Sequence, residues 1–117
     1  MRNKLPKIKS LLDKAESELS EFTRTRRFAN ESQACEKTWV AFTLLCEYKS
    51  GKEIRNFATT KKIAKELGLE LLFRLCYNLH IIHYEGSPAI TDESVIEDVG
   101  EAINSIRIIL KTFAKTI

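Results

Sequence analysis

Apolar residues recur every three or four positions along most of this chain, which is the period of one helix face. In LPKIKSLLDKAESELSEF, Leu5, Ile8, Leu11, Leu12, Ala15, Leu19 and Phe22 fall on one stripe, with lysines and glutamates opposite. Pro6 fits only in a first turn, where no intrahelical N–H is needed, so the helix is predicted to begin near Leu5. TRTRRFAN breaks the pattern. Asn30 is the predicted N-cap of a second helix, ESQACEKTWVAFTLLCEYKS, which turns Ala34, Cys35, Thr38, Trp39, Ala41, Phe42, Leu45 and Cys46 inward. Gly51 is placed to close it in the left-handed region.

GKEIRNFATT reads as a connector. Thr59 or Thr60 is expected to cap a short third helix, KKIAKELG, which ends at Gly68. A fourth helix is predicted from about Glu70 to about Tyr84, with Leu72, Leu75, Cys76, Leu79 and Ile82 or His83 inward and Gly86 as its stop. SPAI forms a tight loop, and Thr91 caps the last helix. Asp92, Glu93, Glu97, Asp98 and Glu101 crowd its first turns and Lys111 and Lys115 sit near its end, a polarity that suits the helix macrodipole. Val95, Val99, Ala102, Ile106, Ile109 or Leu110, and Phe113 form its seam. Gly100 lies mid-helix, where glycine costs ~1 kcal/mol relative to alanine; a close helix crossing is one reason to keep it, neutral drift another.

No segment alternates with period two, and no Asn-Gly or Asp-Gly hairpin signal occurs. The expectation is an all-α protein, an antiparallel up-and-down four-helix bundle with one extra short helix, forming a single domain over residues 1–117. The apolar face of the last helix is wide enough to serve its own core and a partner, which makes a homodimer an expectation too.

Composition narrows the class of protein. Apolar content of 44% and charged content of 30% suit a folded domain rather than a disordered tail. A net charge of +3 permits an anionic partner without demanding one. Cys35, Cys46 and Cys76 are odd in number and show no C-x-x-C spacing, so they read as reduced, buried small hydrophobes. No apolar run follows the basic start of the chain and none approaches the ~20 residues of a membrane span, so a cytoplasmic protein without a membrane segment is expected.

The usual enzyme signatures are missing: no phosphate-binding glycine loop, H-E-x-x-H, G-x-S-x-G or dinucleotide fingerprint occurs, and no cofactor is implied. His80 and His83 stand on one helix, but Cys76 and Glu85 would complete a poor ligand set, so no metal site is predicted. Arg74 and His80 are six residues apart, hence about 120° apart around the helix. They can cooperate only across two helices or across a dimer axis. The simpler expectation pairs Arg74 with Glu70 or Glu85 and packs His80 beside tyrosines at a helix seam. Lys37 is in reach of Gln33 one turn earlier, and Trp39 reads as core rather than as a ligand platform. Basic residues cluster twice, at Arg24, Arg26 and Arg27 and again at Lys52, Arg55, Lys61, Lys62 and Lys65. In an up-and-down bundle these clusters lie at opposite ends. Each is either a solvated helix end or a surface for phosphates.

QACEKTWVAF, the short third helix, LHIIHYEG, the Thr-Asp-Glu-Ser cap and the long last helix together resemble the archaeal PaREP proteins. These are HEPN-like helical bundles, related in fold to the substrate-binding partners of minimal nucleotidyltransferases. Ala34, Glu36, Lys37, Trp39 and Ala41 match an A-x-E-K-x-W-x-A pattern, and Leu79, His80, His83, Tyr84, Glu85 and Gly86 match the second motif, with His83 where a phenylalanine is expected. The resemblance spans about residues 5–112. It implies a four-helix bundle, dimerisation and an archaeal source. The wider HEPN class includes ribonucleases with an arginine and a histidine separated by four to six residues, a count that Arg74 and His80 satisfy. In active members a polar residue follows the arginine, where this chain has Leu75.

Two functions follow as expectations. One is a non-catalytic dimeric module that binds a nucleotide, RNA or a nucleotidyltransferase partner protein, with Tyr84, His83, Glu36 and Lys37 as binding residues. The other is a metal-independent ribonuclease in which Arg74 and His80 are catalytic. A structural protein with no small-molecule site is the third reading.

Overall fold

The computed structural model describes residues 4–85 and 92–115, apart from the side chains of 83–85 and 113–115. Five helices follow one another: α1 (Lys4–Thr25), α2 (Phe28–Ser50), α3 (Phe57–Glu66), α4 (Glu70–Glu85) and α5 (Asp92–Lys115). Among the described residues there is no strand. The protein is an all-α bundle with one short extra helix.

Long-range ion pairs mark the direction of each helix. Lys4 at the start of α1 meets Glu47 near the end of α2 at 2.9 Å. Arg26, just after α1, reaches Glu93 in the first turn of α5 at 3.1 Å. Arg107, late in α5, meets Asp13 and Glu16 of α1 at 2.9 and 2.7 Å. α1 therefore runs against both α2 and α5. α2 packs against every other helix, and its inward positions explain why. All eight residues predicted to face inward, Ala34 to Cys46, are buried. Ile8, Leu12 and Phe22 of α1, Cys76 and Leu79 of α4, and Val99, Ile103 and Ile106 of α5 close around them.

Several local expectations need correction. α2 begins at Phe28, with Arg27 in the N-cap position and no side-chain cap, so Asn30 is not the cap. Asn30 instead donates to Glu18 at 2.9 Å, tying α2 to α1. The preceding residue, Arg26, has φ +59°, and its N–H bonds to the Phe22 carbonyl at 2.7 Å. This left-handed residue ends α1 abruptly and leaves only Arg26 and Arg27 to turn the chain, too few for a separate capping residue. α3 begins three to four residues earlier than predicted, at Phe57. Asn56 caps it by accepting from the Thr59 amide and the Thr59 hydroxyl at 2.8 and 2.9 Å. Thr59 and Thr60 are therefore inside the helix. Gly51 (φ +72°) closes α2 as predicted. Among the described residues Gly100 faces no close crossing: a Cβ there would meet nothing within 4 Å. The expected stop at Gly86, the SPAI loop and the Thr91 cap lie outside the described residues.

Candidate functional site

The face formed by α2, α3 and α4 holds a cluster of aromatic rings. Phe73 and Tyr77 stand four apart on α4, and Trp39 on α2 meets them at ring-centroid distances of 6.1 and 6.0 Å. Phe57, the first residue of α3, lies over this layer at 4.4 Å from Tyr77 and 5.5 Å from Phe73, and is 42% exposed. A bulky ring with that exposure, backed by a buried Phe73, presents a fixed apolar surface to solvent.

Two clefts open on either side of the Phe57–Tyr77 pair, and both residues line both clefts. The first, about 490 Å³, is walled by Trp39, Thr43, Ile54, Arg55, Asn56, Thr60 and His80. The second, about 390 Å³, is walled by Lys61, Lys65, Glu70, Phe73 and Arg74. Arg74 and His80 thus do not share a cleft, in keeping with their angular separation. A single chain nevertheless brings them to neighbouring clefts, because Tyr77 lies three residues from each along α4.

His80 is stacked on Trp39 at 5.0 Å and tilted against Tyr77 at 6.3 Å, so it sits at an aromatic seam as expected. Its Nδ1 also faces Oε2 of Glu36 on α2 at 3.1 Å. A carboxylate can only accept, so Nδ1 donates, and in the neutral ring Nε2 is then the acceptor. Glu36 entered the sequence reading only through the family resemblance; its junction with His80 joins residues 44 positions apart. Lys37 donates to Gln33 at 2.8 Å on an exposed face and lines neither cleft. Arg74 is exposed and makes no ion pair with Glu70, although both line the second cleft. The side chains of His83 and Tyr84, and of Glu85, lie outside the described residues.

The connector between α2 and α3 is held from below. Glu47, 7% exposed, accepts from the Ile54 amide at 2.8 Å while pairing with Lys4. Burial alone would raise its carboxyl, but the Ile54 amide and Lys4 outweigh that and hold it below the ordinary value. This clamp positions Arg55, Asn56 and Phe57, the residues that follow Ile54. Sequence reading missed Asn56 and Phe57. The signal was present, since Asn56 three residues before Thr59 is a possible cap, but two threonines competed for that role.

Burial pushes the Cys35 and Cys46 thiols up to about 12, and raises Cys76 as well, so none is a thiolate near neutral pH. Among the described residues no group of three metal-binding side chains comes together, and no helix is long and apolar enough to cross a membrane.

The fold and this face define an all-α bundle with a paired surface cleft, aromatic at its centre, with Arg55 on one side and Lys61, Lys65 and Arg74 on the other. No family model, curated protein or solved structure matches the chain.

Proposed function

We propose that this chain is a HEPN-like binding module, of the kind the PaREP resemblance implies, and that the paired cleft takes a nucleotide or RNA. The observation that carries this is the junction of Lys61, Lys65 and Arg74 with the exposed Phe57 ring and Tyr77. Cations supply attraction for phosphate, and an exposed ring supplies a stacking face for a base. Glu70 opposes this on the same rim, but three cations outnumber it. The test is equilibrium binding of adenylate and of a labelled single-stranded RNA to the wild type and to Lys61→Ala/Lys65→Ala/Arg74→Ala. Binding of either ligand, lost in the triple variant, is expected. Binding of neither, or equal binding by both proteins, refutes the reading.

The His80–Glu36 pair favours a second reading, a metal-independent ribonuclease. A carboxylate that orients an imidazole is the usual way to prepare a general base or acid, here toward a ribose hydroxyl, with Arg74 stabilising the phosphate. Because Arg74 and His80 line different clefts, this reading draws on a homodimer to bring one chain's Arg74 to the other's His80. RNA cleavage by the wild type, abolished by His80→Ala at unchanged melting temperature, would establish it. Absence of cleavage by a dimer that binds RNA leaves the binding module. A nucleotidyltransferase partner belongs to the same proposal, as the protein that would act on what the module holds.

A further inference from the structure

The ligand of this face can be specified further, resting on the binding reading above. We infer that the paired cleft takes a continuous single strand of nucleic acid rather than a free nucleotide or a duplex. One base stacks on Phe57 with its edge toward Asn56, and the adjoining phosphates lie along Lys61, Lys65 and Arg74.

Three observations carry this. First, Phe57 is exposed on its outer side and immobilised on its inner side by Tyr77 and Phe73, at 4.4 and 5.5 Å. An unstacked base reaches such a ring; a paired base inside a duplex does not. Second, the amide of Asn56 has a fixed orientation. Its Oδ1 is occupied by the Thr59 amide and hydroxyl at 2.8 and 2.9 Å, so the exposed end is the Nδ2 donor, on the wall of the first cleft. A donor beside a stacking ring suits the carbonyl and ring-nitrogen acceptors on a base edge. Third, the cations unpaired among the described residues are not with that donor. The one arginine on its cleft, Arg55, is paired with Glu53 at 3.3 Å, while Lys61, Lys65 and Arg74 line the second cleft, beyond the Phe57–Tyr77 ridge. Base recognition and phosphate attraction thus occupy successive sites along a path, with the ridge between them. His80 and Arg74, on the two sides of that ridge, are six residues apart on α4, a rise of ~9 Å. A mononucleotide reaches from one side to the other only once, whereas a strand fills both clefts with several phosphates.

The test is fluorescence anisotropy of a labelled oligouridylate or oligothymidylate of about twelve nucleotides, a length within the range of known single-strand sites. Its competitors are uridylate and a duplex of the same length. The strand is expected to bind and to resist competition by equimolar uridylate or duplex. Phe57→Ala should weaken binding by roughly 5- to 150-fold, the loss of one stacked base, while leaving the salt dependence as in the wild type. Lys61→Ala/Lys65→Ala/Arg74→Ala should instead flatten the salt dependence by about two units of log–log slope. Phe57→Leu separates stacking from packing, because it keeps an apolar cover over Phe73 and should bind nearly as weakly as Phe57→Ala. Far-ultraviolet circular dichroism of each variant confirms that α3 is intact. If duplex or uridylate competes as well as the strand, or if Phe57→Ala binds like the wild type, the single-strand inference falls while phosphate binding stands. If the triple variant also binds like the wild type, both fall.

Discussion

At the turn between α1 and α2, Arg24 pairs with Glu21, and Arg26 reaches Asp92 and Glu93 at 3.8 and 3.1 Å while its guanidinium lies 5.9 Å from the centre of the Phe22 ring. At the opposite end, around α3, Lys61, Lys65 and Arg74 line a cleft beside exposed Phe57, and among the described residues none of the three is in an ion pair. The two clusters look alike in sequence. One holds the start of α5 to the end of α1; in the other Lys52 pairs with Glu66 and Arg55 with Glu53, while Lys61 and Lys65 keep their charge available to a ligand. The buried glutamates of α2 differ in the same way. Glu31, near the first end, is raised above its ordinary value by burial and by the nearby Asp92 charge. Glu47, near the second, is held below it despite burial because Ile54 and Lys4 stabilise the ionised form. A basic cluster is therefore evidence for a binding surface only after its internal partners have been counted.

The largest effect is expected from Glu47→Ala. It leaves the Ile54 amide and Lys4 without their shared carboxylate, at a cost of ~1–3 kcal/mol. Because the clamp positions Phe57, oligonucleotide affinity should fall with stability although Glu47 lines neither cleft. The pH dependence has a definite sign. With the folded value below the unfolded 4.5, the contribution is present above 4.5 and is lost as pH falls through the folded value. The gap in melting temperature between wild type and variant should therefore close in acid. A gap that persists unchanged in acid would mean that the carboxylate is not what stabilises this end.

Glu31→Gln should have a smaller effect of opposite sign. Its folded value lies above the unfolded one, so the ionised carboxylate weakens the fold near neutral pH and this penalty disappears as pH falls through the raised value. The variant should melt above the wild type at neutral pH, and the two should converge in acid. A lower melting temperature at neutral pH would show that the two ends do not differ as described.

The smallest effect belongs to Arg24→Ala combined with Arg27→Ala. Both side chains are exposed, so stability should stay within ~0.5 kcal/mol of the wild type. Oligonucleotide affinity should not change. A drop comparable to that of the α3 triple variant would erase the distinction between the clusters and extend the binding surface along the whole bundle.

The helices were legible because each depends on a pattern that repeats within a few residues. The seam of α2 is the clearest case: eight predicted positions, all buried. Boundaries were less legible, since at Arg26–Arg27 and at Asn56 several residues could end or cap a helix and only packing selects among them. Gly100 shows the reverse limit: the sequence allowed a close crossing, and the structure leaves open space there. For the site, Arg74 and His80 were visible as chemistry-bearing residues, and their separation around α4 was computable from the helical repeat. The pairing of His80 with Glu36, and the position of Phe57 over Tyr77, were not.

What the sequence determined by itself was local. It set which segments are helical, which face of each is apolar, and that the two basic clusters fall at opposite ends, because helix period and connector length are properties of short stretches. Tertiary structure decided which cations pair across helices and where the rings meet. Those outcomes depend on contacts between helices distant along the chain, such as Arg26 with α5, Glu36 with His80 and Phe57 with Tyr77. Such contacts exist only once the cores of α1, α2, α4 and α5 have closed and brought their outer faces together.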